Sequence, residues 1–280
     1  MPEVTGSVNA EFTAKGGSTQ LQRHTHAYPL KIAKTFPFEG QLGVYLMDAS
    51  PGVMAGDRYE LVWRFGENTN VFVTNQSYTK VHPSKKDGGA RLNPSAQSQS
   101  LSLHRGAYVE YMPEPLMLYK DASFASDMTV QMEEGASLFL SDIVCPGRTH
   151  RGEVFHYERY QSRLTVRYGN ELIFSTKQRV EPQLQVPRQI ARWDSHTHTG
   201  TLYLFSERVN ANVAEALRER LAQQDSLRPG LYYGISLTYK FGLAVSVLGV
   251  RVYEIEALLK EAWTFLRSEV FNRNPLFAPK

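Results

Sequence analysis

Cysteine is almost missing from this sequence: Cys145 is the only one in 280 residues. That excludes an intrachain disulfide and any zinc site built from several thiolates, and it suits a reducing compartment. Long apolar runs are missing too. The longest, Gly242 to Val250, is far too short to span a bilayer, and Met1 to Lys15 carries no apolar stretch of the secretory kind. The expectation is a cytoplasmic protein that does not enter a membrane. Neither sign of charge is in excess, with 31 Lys and Arg against 28 Asp and Glu for a net +3. No general field therefore drives the chain onto nucleic acid or an anionic surface. The common signatures of chemistry are absent as well. There is no Gly-x-Ser-x-Gly elbow, no Gly-x-x-x-x-Gly-Lys-Ser/Thr phosphate loop and no Gly-x-Gly-x-x-Gly turn. Cys145 precedes Pro146 without the surroundings of a cysteine hydrolase and reads as an ordinary half-buried thiol.

What is present is a sequence that folds. Hydrophobic residues make up 42% and charged residues 21%, ordinary values for a globular domain. The chain reads as one large domain over residues 1–280. Most of it alternates apolar and polar side chains with period two, broken by glycine turns. Tyr59 to Phe65 runs through Gly66 into Val71 to Val73, and similar pairs of segments flank Gly106, Gly135 and Gly169. Gly169-Asn170 is a tight-turn signal because both residues tolerate positive φ. The repeated grammar, at uneven intervals, predicts a mainly β fold of hairpins stacked as an imperfect β-helix with layered sheets. Two helices are expected in the C-terminal third. Asn210 precedes Val213, Leu217 and Leu221 at helical spacing and can cap the helix, while Leu258, Leu259, Ala262, Phe265, Leu266 and Val270 make a broad stripe between Glu254 and Phe271. Residues 83–100, rich in polar and turn-forming side chains, read as a flexible loop, and 272–280 as an extended tail.

Two His-x-His pairs, His24/His26 and His196/His198, place both imidazoles on one side if their segments are strands, a geometry able to chelate a metal. The alternative is solvent-exposed histidine with no ligand. Read as a metal site, His196 and His198 would suit a metal-dependent β-barrel enzyme. The carboxylates say more. Glu114 lies between prolines in Met112-Pro-Glu-Pro115, Asp142 interrupts the apolar run Leu138 to Val144, and Glu153 closes Gly147 to Glu153. An ionised Asp142 in an apolar strand needs a metal, water or a partner, for which Arg148, Arg151 and Lys80 are available.

Five segments occur in a recognisable order: Gly52-Val-Met-Ala-Gly-Asp57, Val73-Thr-Asn-Gln-Ser-Tyr-Thr-Lys-Val81, Tyr111-Met-Pro-Glu-Pro115, Asp142-Ile-Val144, and Gly147-Arg148 with Gly152-Glu153. Together with Thr199-Gly-Thr-Leu-Tyr203 further on, this order resembles the urease accessory proteins of the UreD/UreH family. Ala55 stands where that family usually has Gly. The resemblance implies a β-helix-like fold with two helices and a protein that is not itself an enzyme. It implies partners as well: apo-urease, the helical accessory protein UreF and, through UreF, the GTPase UreG. The assembly would support GTP-dependent insertion of nickel, carried as transient cargo with no resident cofactor, along an internal tunnel. Asp57, Glu114, Asp142 and Glu153 are then candidates for the nickel path, with Lys80 and Arg148 pairing with them.

Overall fold

Alternation and glycine turns build two facing sheets. The computed structural model describes residues 3–84, 86–87, 90–91, 94–184 and 193–278. The strands in the first half are β1 (Gly6–Lys15), β2 (Ser18–Ala27), β3 (Leu30–Phe38), β4 (Gln41–Asp48), β5 (Arg58–Phe65), β6 (Asn70–Asn75), β7 (Thr79–Val81), β8 (Lys86–Asp87), β9 (Ala90–Arg91), β10 (Ser95–Leu103), β11 (Tyr108–Tyr111) and β12 (Leu116–Leu118). Then follow β13 (Ser123–Met132), β14 (Ser137–Cys145), β15 (Arg159–Tyr168), β16 (Glu171–Val180), β17 (His198–Phe205), α1 (Ala211–Ala222), β18 (Tyr232–Leu237), β19 (Gly242–Gly249) and α2 (Val252–Phe271). One sheet has the order β16-β15-β13-β10-β5-β1-β2 and the other β18-β19-β17-β14-β11-β6-β4-β3. Neither closes into a barrel.

The expected hairpins at Gly66, Gly106 and Gly135 are arches instead. Each carries the chain from a strand of the first sheet to one of the second, β5 to β6, β10 to β11 and β13 to β14, so that like strands stack in parallel. This is the β-helix element of the fold. Period two cannot distinguish an arch from a hairpin, because both join two alternating segments through a turn. The arches are bonded to one another: Asn68 N–H donates to the Arg105 carbonyl at 2.9 Å and Gly106 N–H to that of Glu134 at 3.1 Å. Gly106 is at φ 66°, where a Cβ would also lie 2.4 Å from Asn68 Oδ1, so glycine is required on both counts. Gly169-Asn170 does close a hairpin, between β15 and β16.

The loop expected over 83–100 is shorter than its composition suggests. Its second part is β10, a central parallel strand between β5 and β13. Ser95, Gln97 and Gln99 occupy inward positions, which hides the alternation until Leu101 and Leu103. Residues 85, 88–89 and 92–93 of that loop, and 279–280 of the tail, lie outside the described residues.

Parallel register puts equivalent inward residues at one level. Ala10, Trp63, Leu101, Val130 and Val166 form one row across five strands, and Phe12, Phe65, Leu103, Met132 and Tyr168 the next. They pack against Val71, Val109, Leu138, Val73, Tyr111 and Leu140 of the facing sheet. The outer face of that second sheet, with Phe72, Phe139 and Leu204, is covered by both helices. Asn210 caps α1 through Oδ1, which accepts the Val213 N–H at 3.1 Å. Ile255, Leu258, Leu259, Ala262 and Leu266 form the buried stripe of α2, which ends where Asn272 turns left-handed at φ 51°. No helix among the described residues is long and apolar enough to cross a membrane.

Candidate functional site

The inward rows change character toward one end of the sandwich. After the row of Trp63 and Leu101 comes Leu61, Gln99, Met128 and Leu164, and after that Tyr59, Gln97, Ser126 and Ser162. The facing sheet changes at the same level: Asn75 follows Val73 on β6 and Asp142 follows Leu140 on β14, opposite Thr201 of β17. Short polar side chains on both layers cannot fill the space that Trp, Leu and Val fill lower down. The result is a cavity of about 170 Å³ between the sheets, roomy enough for several waters and polar enough to hold them.

Asp142 shares its parity with Leu138 and Leu140 and therefore points between the layers rather than toward the helices. Asp142 is exposed to this cavity, yet it is flanked along β14 by buried apolar neighbours. Poor solvation there pushes its pKa up to about 6. The tyrosines facing it respond in kind. The Tyr203 hydroxyl is raised to about 12 by burial and then by Asp142, and Tyr160 is raised further for the same reasons. None of the basic partners that the sequence offers to Asp142 pairs with it among the described ion pairs.

Glu114 lines the same cavity. Pro113 and Pro115 remove two amide N–H groups on either side of it, so the second sheet cannot continue from β11 into β12 and is left open there. The Glu114 N–H is held by Asn75 Oδ1 at 2.5 Å. On the other side of this break a groove of about 200 Å³ lies between the sheet and α2, and Asn75, Glu114 and Ser141 line both it and the cavity. Glu256 of α2 stands in that groove and accepts a hydrogen bond from the Tyr78 hydroxyl at 3.3 Å. Toward the first strands a smaller pocket of about 80 Å³, lined by Asp48, Ser50 and Lys80, adjoins at Leu46, Asn75 and Gln97.

The other two carboxylates are engaged elsewhere. Glu153 forms a two-point ion pair with Arg148, Nε to Oε2 at 2.8 Å, which holds its carboxyl below the usual range. Arg148 in turn lies 4.5 Å over the Tyr119 ring. Asp57 folds its turn, accepting the Met54 N–H at 2.7 Å. Arg148 is paired with Glu153 and not with Asp142. Lys80 is exposed on β7, and its carbonyl accepts the Val53 N–H at 2.8 Å.

The histidine reading needs correction. His196 and His198 are buried and bonded to different groups, His196 Nδ1 donating to the Trp193 carbonyl at 3.1 Å and His198 Nδ1 meeting Thr197 Oγ1 at 2.8 Å. Burial pushes the His198 imidazole down to about 4. With no barrel and no shared ligand point, these residues do not make the metal site of a β-barrel enzyme. Among the described residues no three His, Cys, Asp or Glu converge on a common ion position. Cys145 is fully buried rather than half-buried, its thiol pushed up to about 12 by its surroundings.

A second charged cluster escaped the sequence reading. Glu110, fully buried on β11, accepts from Tyr108 at 2.6 Å, Gln41 at 3.0 Å and Trp263 at 3.2 Å, and forms an ion pair with the buried Arg267 of α2. Arg267 also donates to the Asn274 carbonyl at 3.0 Å, while Arg273 lies 3.8 Å over the Tyr108 ring. The signal was available, since Glu110 interrupts Tyr108-Val-Glu-Tyr111 just as Asp142 interrupts its own strand.

A family model described as UreD urease accessory protein matches residues 4–278. Among similar curated proteins, a urease accessory protein UreD of Acetivibrio thermocellus is 32% identical over 247 residues, covering 87% of this chain and 90% of the relative. Those of Bacillus sp. strain TB-90 and Haloarcula marismortui are 27% and 28% identical, each over 97% of this chain and over 97% and 89% of their own length. With a model match over almost its whole length and a fold of the expected kind, the chain belongs to the UreD family of urease accessory proteins.

Proposed function

We propose that this chain is a non-catalytic cytoplasmic scaffold that helps deliver nickel to apo-urease, and that the cavity between its sheets is a stretch of the route the ion takes. Family membership supports the system in which it works. The observation that carries the route is the placement of Asp142 and Glu114 on one cavity, with Glu114 also lining the groove beside α2. A conduit must hold a divalent ion at several weak sites so that it can leave again, and separated carboxylates do this better than a closed cage of thiolates. Nickel is cargo in this account, and the chain has no cofactor of its own.

The reading also assigns partners. Apo-urease is the recipient, UreF is the helical accessory protein bound by this scaffold, and UreG joins through UreF to make insertion depend on GTP. Asp57 and Glu153 serve as turn-holding groups at the ends of the motif, with Arg148 fixing Glu153. The test is urease activation in a reconstituted system with nickel, bicarbonate, GTP and the other accessory proteins held fixed. Strict dependence on this chain is the expected result, and unchanged activation without it sinks the proposal.

A further inference from the structure

We propose that His24 and His26 form a second, external cation site, taking a late first-row divalent ion such as Ni²⁺, Cu²⁺ or Zn²⁺. The site does not depend on the interior route. Both residues lie on β2, the outermost strand of the first sheet, and alternate residues of a strand project to the same side. Their cross-strand neighbours on β1 are the short side chains of Ala10 and Val8. Both are exposed, and their rings are already adjacent, with centroids 5.9 Å apart and planes 19° from parallel.

Metal–imidazole bonds of roughly 2.0–2.1 Å require ring centres about 5 Å apart when two histidines share an ion at a tetrahedral or square corner. The observed spacing is within about an ångström of that. As they stand the rings are nearly parallel rather than turned toward a common point. Binding therefore needs rotation about χ2, which is a soft, broad torsion for an exposed histidine. Imidazole selects Cu, Ni and Zn over the hard cations Mg²⁺ and Ca²⁺. No third His, Cys, Asp or Glu completes the set among the described residues, so water fills the remaining positions and the ion exchanges readily. The contrast with His196/His198 is informative. That pair has the same spacing, but burial and separate protein partners tie up its rings.

The test titrates the full-length chain with NiCl₂ by calorimetry and maps histidine acylation by diethyl pyrocarbonate with and without Ni²⁺. The expected result is one equivalent bound more tightly than any interior nickel, with His24 and His26 protected. H24A/H26A should lose that equivalent while melting like the parent, since both positions are exposed. Each single variant should weaken binding roughly tenfold or more, at least the scale on which outer-sphere partners of metal ligands act. The variant D142N/E114Q should keep the site. The proposal is overturned if the parent binds no nickel, if H24A/H26A binds it unchanged, or if D142N/E114Q abolishes the protection.

Discussion

Replacing Arg267 with Ala should destabilise the protein far more than any surface substitution. Glu110 is fully buried and Arg267 nearly so, and the guanidinium is the only cation paired with that carboxylate among the described ion pairs. Tyr108, Gln41 and Trp263 also donate to Glu110, but none brings a charge. Removing one partner of a buried pair leaves an uncompensated ion and costs about 3–5 kcal/mol. An unfolding entropy of about 2.1 cal/mol/K per residue over 280 residues gives roughly 0.6 kcal/mol/K, so the melting temperature should fall by about 5–9 °C. Arg267 also donates to the Asn274 carbonyl, and the tail beyond α2 should become sensitive to protease in the same variant. Scanning calorimetry of Arg267→Ala is joined by Arg267→Met, Glu110→Leu and the Glu110→Leu/Arg267→Met double variant, which with the parent complete a cycle. The double variant should melt above the sum of its parts, because exchanging both members for apolar groups removes the stranded charge. A melt of Arg267→Ala within 1 °C of the parent, or simple additivity, would refute the reasoning.

Further outcomes follow from the same contacts. Gly200→Ala places a Cβ 2.5 Å from Ile255 Cγ2 and 3.0 Å from Leu259 Cδ1, so α2 must lift off β17 at a cost of roughly 1–3 kcal/mol, readable by denaturant titration. His198 is lowered from 6.5 to about 4, so the unfolded state takes the proton first and stability falls as pH drops from 6.5 to 4, by up to about 3 kcal/mol; His198→Gln should flatten that slope in melts across the window. The Asp142 carboxyl, raised from 3.8 to about 6, has the opposite sign: its charge costs stability above pH 6, and the cost fades toward pH 4. Asp142→Asn should therefore raise the melting temperature more at pH 8 than at pH 4.5. Cys145, buried with its thiol near 12, should resist thiol reagents in the native protein at pH 8 and react on unfolding, which a colorimetric thiol titration reads directly.

Much of this architecture was legible in the sequence, and the failures share one cause. Period two located the strands and helical spacing located α1 and α2, because both patterns are local. Whether Gly106 turns a hairpin or an arch depends on which sheet receives the next strand, and that is decided by pairing far along the chain. The same applies to the cavity. Asp142 stood out as an acid in an apolar run, but Gln97, Ser126 and Ser162 looked like loop or surface residues until register aligned them with Tyr59 on one level. The first part of β10 reads as a loop in the sequence because its inward positions are polar where they border this cavity. Glu110 carried the signal that marked Asp142, in a strand too short for the interruption to be noticed.

The cavity account is tested most directly by activating urease with Asp142→Asn, Glu114→Gln and the double variant, while following complex assembly by size-exclusion chromatography and nickel in urease by atomic absorption. The account predicts intact complexes, less nickel inserted and lower activation, with the double variant at least as impaired as the worse single one. Full activation and normal nickel content in the double variant would contradict it.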